Sequence, residues 1–231
     1  DYIRVAAMLS DTLARDFTYL HPEVLARCPA GRGMLHLDNK VNHQHYRVLI
    51  LPGVKCISPE CLRTVERFRR AGGRVIFTTA LPETSTRFEV PATQVAARVQ
   101  EMLTARKNPA LFLPEPDTES LRKALEADFI PDVTVSGAPG LRYIHRICGG
   151  RHIYYFANID TETAEAGILL RDAVKLRSFD PHTGDNAPFA AEVSAQGTRL
   201  QLTLPGARSL FLVSELSLIH ISEPTRQAEI S

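Results

Sequence analysis

The most individual polar residues of the chain stand in the stretch YIHRICGGRHIYYFANID, where His145 and Arg146 follow one another in an alternating run. If that run is a strand, Tyr143 and His145 share one face while Ile144 and Arg146 share the other. One of the two polar groups must then turn toward a core or a neighbouring domain. Buried polar side chains are nearly always hydrogen-bonded, so a structural role comes before ligand contact. Tyr143, His145 and Arg146 are therefore the candidate domain-interface residues.

The remaining candidate groups do not combine into a site. Cys28, Cys56, Cys61 and Cys148 show neither C-x-x-C spacing nor a nearby histidine series, so a zinc or redox motif is not expected and most should be buried free thiols. His43 and His45 flank Gln44 in a polar connection without a third ligand, which reads as solvent-exposed. Glu83, Glu89, Asp160 and Asp180 are loop acids that nothing in the sequence pairs, as glycoside chemistry would require. Gly72-Gly73 follows a helix instead of opening one, the wrong end for a phosphate. No catalytic, cofactor-binding or metal-binding residue is assigned, and no cofactor is expected.

The 231 residues are enough for two ordinary domains of about 100 to 150 residues. A hydrophobic content of 44% and a net charge of +1 with interspersed signs give no footprint for nucleic acid, and no apolar run approaches a membrane span. Neither nucleic acid nor membrane is expected as a partner.

The elements that must position these residues fall into two regimes. From Tyr46 to Thr79 the chain reads YRVLILPGVKCISPECLRTVERFRRAGGRVIFTT. Tyr46 to Leu51 predicts a buried strand closed by Pro52 and Gly53. Ser58 and Pro59 open a helix through Leu62, Val65 and Phe68, and Arg74 to Thr79 predicts the next strand. That is a βαβ unit, so a parallel sheet with covering helices is expected here. Around it the spacing predicts a helix over Tyr2 to Arg15, a brief strand over Phe17 to Leu20, a short helix after His21-Pro22-Glu23 and an edge hairpin from Met34 turning near Asp38-Asn39. Helices over Thr93 to Arg106 and Thr118 to Ala127 follow, with a strand over Ala110 to Leu113 between them. Pro131 to Gly137 predicts a last extended piece of this domain, and SGAPG, Ser136 to Gly140, reads as the linker.

Beyond the linker the period becomes two. Leu141 to Cys148, His152 to Ala157, Gly167 to Leu170, Val174 to Phe179, Phe189 to Val193, Thr198 to Leu204 and Ser209 to Val213 predict short strands in the rhythm of an antiparallel β-sandwich. Gly149-Gly150 is the expected hairpin turn, and Asp180 to Gly184 a tight loop. The domains are thus 1–138, α/β, and 139–215, β-sandwich.

The half-domain with ILPG after a central strand resembles the flavodoxin-like, class I glutamine amidotransferase-like fold, whose enzymes hold a nucleophilic cysteine on a strand-to-helix elbow. At the matching strand end this chain has Thr78, Thr79, Ala80 and Leu81, without a cysteine. Over Asp16 to Val213 the chain resembles the C-terminal part of multidomain glycoside hydrolases, above all family 106 α-L-rhamnosidases. The likeness rests on DFTYLHPEVL, YRVLILPGV, LRTVERFRRAGGRVIFTTALPETS, YIHRICGGRHIYYFANID, SFDPHTGD and GTRLQLTLPGARSLFLV. Similar domain pairs stand behind the barrel of family 42 β-galactosidases. The resemblance implies a bacterial, periplasmic or extracellular enzyme whose catalytic carboxylates lie on a (β/α)8 barrel absent from this chain. It implies a non-catalytic accessory segment whose partner is the missing N-terminal catalytic domain of the same chain, with carbohydrate as a further candidate partner. A carbohydrate-binding or oligomerisation module without its own chemistry is the alternative, and a thiol enzyme acting through Cys56 a third reading. The α/β domain is then N-terminally truncated and lacks a central strand. Phe17 to Leu20 should either lie two strand spacings from Tyr46 to Leu51 or pair with it directly. Residues 216–231 resemble translated sequencing adapter and are expected to form a non-native tail that packs poorly.

Overall fold

The computed structural model describes residues 1–37, 44–127 and 130–215. The chain divides into two compact units between residues 129 and 130. The turn expected at Asp38-Asn39, His43 and the whole 216–231 tail lie outside the described residues.

The first unit is mixed α/β. Helix α1, Tyr2–Ala7, continues as one π-helical stretch, Met8–Thr12, and α2 spans Pro22–Arg27. Strands β1, Ala30–Gly31, β2, Met34–His36, and β3, His45–Tyr46, make a small antiparallel sheet in the order β1-β2-β3. Strand β4, Val48–Pro52, is followed by β5, Cys56–Ile57, α3, Pro59–Arg70, and β6, Arg74–Thr78. Then come β7, Thr84–Ser85, α4, Ala92–Leu103, β8, Leu111–Leu113, and α5, Thr118–Glu126. The parallel sheet runs β4-β6-β8, and β5 pairs with β7 in a second, two-stranded parallel sheet.

The expected βαβ unit forms for the expected reasons. Ser58 Oγ accepts from Cys61 N at 3.1 Å, Pro59 takes the first helical position, and Gly72 leaves the last turn at φ +98°. A side chain at Gly73 would sit 2.0 Å from the Phe68 ring, so the glycine is also what lets the helix stay close to its strand. Both sheet faces are covered. Leu49, Leu51, Val75 and Phe77 pack with Leu62, Val65 and Phe68 of α3 and Val95, Val99 and Met102 of α4. Ile50, on the opposite face by strand alternation, packs with Val5, Leu9 and Leu13 at the amino end and Leu121 of α5.

Three expectations are corrected, the last of them reaching into the second unit through Cys148. Phe17 to Leu20 forms no strand; Phe17 packs beside α1 and α5, and Thr18 Oγ1 bonds the Tyr46 hydroxyl instead. Tyr46 belongs to the small sheet opposite Leu35, and the long strand begins only at Val48. Cys28 and Cys61 are buried free thiols as expected, but Cys56 and Cys148 are exposed.

The second unit is β-rich and antiparallel. Its strands are β9, Val133–Ser136; β10, Leu141–Cys148; β11, Arg151–Asn158; β12, Ala164–Leu170; β13, Leu176–Phe179; β14, Asn186–Phe189; β15, Glu192–Ser194; β16, Gly197–Leu204; and β17, Ser209–Ser214. They form a five-stranded sheet, β10-β11-β17-β13-β14, and a four-stranded sheet, β15-β16-β12-β9. The inward residues of both, among them Tyr154, Phe156 and Leu212 from one and Ile168, Leu170 and Leu202 from the other, share one core, which makes the unit a sandwich. Gly149 and Gly150, at φ +55° and +75°, make the two-residue hairpin turn between β10 and β11.

Two expectations are corrected here as well. The extended piece at Pro131 to Gly137 is not the end of the α/β domain: Val133 is in the sandwich core, and β9 pairs antiparallel with β12 from Leu170 back to Gly167. The division therefore precedes SGAPG, which is a connection inside the second unit, and the expected limits 1–138 and 139–215 move to the 129/130 division. Phe189 to Val193 is not one strand. Phe189 ends β14 in one sheet and Glu192 opens β15 in the other, with Ala190-Ala191 crossing between them. Phe189 and Ala191 pack against the core, whereas Val193 is exposed.

Candidate functional site

The two-glycine turn fixes the register of the β10-β11 hairpin, with Cys148 opposite Arg151 and therefore His145 opposite Tyr154 and Ile147 opposite His152. Alternation points Tyr143, His145, His152, Tyr154 and Phe156 to the same, inward side. Two acids reach this row from the other sheet. Asp132 precedes β9, and its carbonyl accepts from Arg171 N at 2.9 Å, which ties it to the end of β12. Asp172 follows β12 in a bend held by the buried Thr198, whose hydroxyl accepts from Val174 N and donates to the Asp172 carbonyl, both at 2.8 Å. Gly197 allows this approach, because a side chain there would lie 2.1 Å from the Leu170 carbonyl.

The resulting cluster is a chain of hydrogen bonds. Asp132 Oδ2 lies 2.7 Å from His145 Nδ1, and Asp132 Oδ1 accepts from the Tyr143 hydroxyl at 3.2 Å and from Val133 N at 3.0 Å. His145 Nε2 lies 3.0 Å from His152 Nδ1, and His152 Nδ1 lies 3.3 Å from Asp172 Oδ2. The Tyr154 hydroxyl donates to Asp172 Oδ2 at 3.4 Å, and the His145 ring lies parallel over the Tyr154 ring with centroids 4.3 Å apart. The two imidazoles are a different case. Their planes are within 14° and their centroids 5.2 Å apart, yet the facing nitrogens are only 3.0 Å apart, which requires the rings to lie edge to edge in nearly one plane.

Proton bookkeeping follows from the acids. An ionised carboxylate only accepts, so Asp132 places a proton on His145 Nδ1, and one hydrogen bridges His145 Nε2 and His152 Nδ1. Burial pushes the Asp132 carboxyl up, but the hydrogen bond and charge of His145, helped by Tyr143 and Val133 N, outweigh it and hold the group below the ordinary carboxylate range. Burial, with the charges of Asp172 and Asp132 behind it, pushes the Tyr154 hydroxyl up, so it remains a donor.

Of the three sequence candidates, the structure brings Tyr143 and His145 into this cluster and leaves Arg146 exposed on the outer face of the sheet. His152, Tyr154, Asp132 and Asp172 were not singled out from sequence. The register set by Gly149-Gly150 carries the signal for the first two; the acids, brought in by non-local pairing, leave none.

The other sequence candidates stay apart. Glu83, Glu89 and Asp160 are exposed, and Asp180 closes its own loop by accepting from His182 N at 2.7 Å. At the end of β6, Thr79 takes a left-handed φ of 64°, a strained conformation for a β-branched residue. The chain then runs through a loop and β7 before α4 begins at Ala92, so no helix follows Thr79 directly. The exposed Cys56 lies on β5, a separate strand.

No protein-family model and no curated protein sequence matches the chain. Among solved structures it is similar to a rhamnosidase from Novosphingobium sp. PP1Y, at 20% identity and a TM-score of 0.69, over 95% of this chain and 22% of that one. It is also similar to a β-galactosidase from Bacillus circulans sp. alkalophilus, at 14% identity and a TM-score of 0.50, over 73% of this chain and 33% of that one. The chain thus spans about a fifth of the length of the rhamnosidase and a third of that of the β-galactosidase. At these identities the likeness shows a fold: a mixed α/β unit followed by a β-rich unit, as found within glycoside hydrolases.

Proposed function

We propose that the chain is the non-catalytic C-terminal part of a glycoside hydrolase resembling the family 106 α-L-rhamnosidases, and that it buttresses the catalytic barrel or walls the sugar cleft. The observation that carries this reading is the likeness to a rhamnosidase through both units in order, over 95% of the chain. In the same reading β4, β6 and β8 are the last three strands of a flavodoxin-like, amidotransferase-like sheet, with the free edge of β4 on the side where a central strand would lie.

The sandwich offers a surface suited to the supporting role. Cross-strand register lines up Ile144, Tyr155, Phe211 and Phe179 across four strands on the outer face, with Ile144 and Phe179 exposed and the Tyr155 and Phe211 rings 4.8 Å apart. Arg146 stands on the same face. An apolar row with a cation beside it suits packing against another domain. The same aromatic rings favour a second reading, a carbohydrate-binding module, because sugar rings stack on aromatic faces.

The test is expression of the chain alone and joined to the coding sequence preceding it, with an aryl α-L-rhamnoside as substrate. The joined protein should hydrolyse it and the lone chain should not. Turnover by the lone chain, or a preceding sequence without a barrel bearing two carboxylates, overturns the reading. Binding of rhamnose-containing oligosaccharides by the lone chain, lost in Tyr155→Ala, would decide for the carbohydrate-binding module.

A further inference from the structure

We propose that His145 Nε2, His152 Nδ1 and Asp172 Oδ2 form a binding site for a divalent cation of the zinc type, with Asp132 as the residue that orients His145. The three donor atoms all lie within 4.8 Å of one another. The two measured edges of the triangle, 3.0 Å between the nitrogens and 3.3 Å from His152 Nδ1 to Asp172 Oδ2, are close to the spacing of donors around a tetrahedral zinc, about 3.3 Å for bonds of 2.0–2.1 Å. Two imidazoles and one carboxylate are a borderline donor set that suits zinc and its neighbours over calcium or magnesium.

The surroundings supply what a metal-bound imidazole needs. His145 gives its Nδ1–H to Asp132 at 2.7 Å and lies flat on Tyr154, so its Nε2 lone pair is held in one direction by a carboxylate and a ring. The carboxylates of Asp132 and Asp172 together carry the charge that a divalent cation neutralises. Binding displaces the proton that bridges the two nitrogens, to His152 Nε2 or to solvent, while His145 keeps its Nδ1–H on Asp132. What must change is direction, because the two nitrogens now face each other in line and must instead converge beside that line. His152, whose side chain is 21% exposed against 9% for His145, is the ring that turns. The Tyr154 hydroxyl donates to Asp172 Oδ2 at 3.4 Å and so helps to hold that carboxylate in place.

The test is titration of the untagged, chelator-treated full chain with Co²⁺ and then Zn²⁺. One equivalent of Co²⁺ should raise the visible bands of a four-coordinate ion, and Zn²⁺ should bleach them. His152→Ala and Asp172→Asn should weaken binding at least about 100-fold, and Asp132→Asn about 10- to 100-fold. His182→Ala, in the loop after β13, should change nothing. Retained binding in His152→Ala, or no binding of either ion below ~1 mM, overturns the proposal and leaves a purely hydrogen-bonded cluster. Histidine side-chain NMR of the unaltered chain provides a test that needs no variant to fold. The His145 and His152 resonances must be the ones that move with Zn²⁺, and shifts confined to His36 and His45 overturn the site.

Discussion

The two units handle their inward-facing polar groups in opposite ways. In the α/β unit the carboxyl ends of β4 and β6, where open parallel sheets ordinarily bind ligands, end in Pro52, Gly53, Thr78 and Thr79 and carry no convergent set of titratable side chains among the described residues. Its one buried acid among the described residues, Glu66 on α3, is met by Arg98 of α4 in a two-pronged pair with both bonds at 2.7 Å. In the sandwich, two acids, two histidines and two tyrosines from both sheets meet in one connected cluster. The fold class that most often binds ligands shows there the Asp1 carboxylate, accepting from Thr78 Oγ1 at 2.7 Å, and the densest polar chemistry sits inside the class read as scaffolding. A site is therefore to be sought from geometry, not from fold type.

The largest effect that could break this contrast is at Asp132. Asp132→Ala removes the acceptor of His145 Nδ1–H, the Tyr143 hydroxyl and Val133 N at once, and should cost the β-rich unit about 2–4 kcal/mol. Denaturant melts should show the loss, and amide exchange should place it in β9 to β12. A cost below about 0.5 kcal/mol would make the cluster a surface feature. Glu66→Ala should cost less, about 1–2 kcal/mol, because the Arg98 side chain is 24% exposed and its guanidinium can turn to water. Replacing both partners by Glu66→Met with Arg98→Leu should restore most of that loss. If Glu66→Ala proves the more costly change, the contrast between the units is reversed.

How much of this could be read from the sequence depended on how local each signal was. Helix α3 was legible from end to end because Ser58, Pro59, Gly72 and Gly73 act within its own turns. The β10-β11 hairpin was legible because Gly149 and Gly150 set both turn and register. The limit between the units was not. SGAPG has the composition of a linker, but β9 before it is claimed by β12, about thirty residues later, a pairing that no local pattern encodes. The same error hid the site: with Val133 to Ser136 assigned to the first domain, Asp132 could not be brought to His145. Asp172 was hidden for a similar reason, since its place depends on Thr198 and Gly197, across the sheet.

The smallest expected effect concerns the sheet in which the α/β unit leaves an edge open. Arg74 N donates to Arg47 O and Gly53 N to Thr78 O, so along β4 the odd-numbered amides, Leu49 and Leu51, face β6. By alternation Val48 and Ile50 present their amides to the other edge, where no strand stands among the described residues. Pro52, with no N–H to offer, occupies the next position on that edge, where proline is tolerated. Strand β6, paired on both sides, is the internal standard, and its Val75, Ile76 and Phe77 are fully buried. In native-state hydrogen exchange Val48 and Ile50 should therefore exchange at least about tenfold faster than Leu49 and Leu51, although all four belong to one strand. Side-chain burial alternates in the same register, with Leu49 and Leu51 buried and Val48 and Ile50 half-buried, but Ile50 is packed among apolar residues on its own face. An unfilled edge adds to that the loss of the amide's partner, which is what the tenfold difference reads. Equal protection of the four amides would mean that something pairs with β4, and the sheet of the first unit would then be complete as it stands.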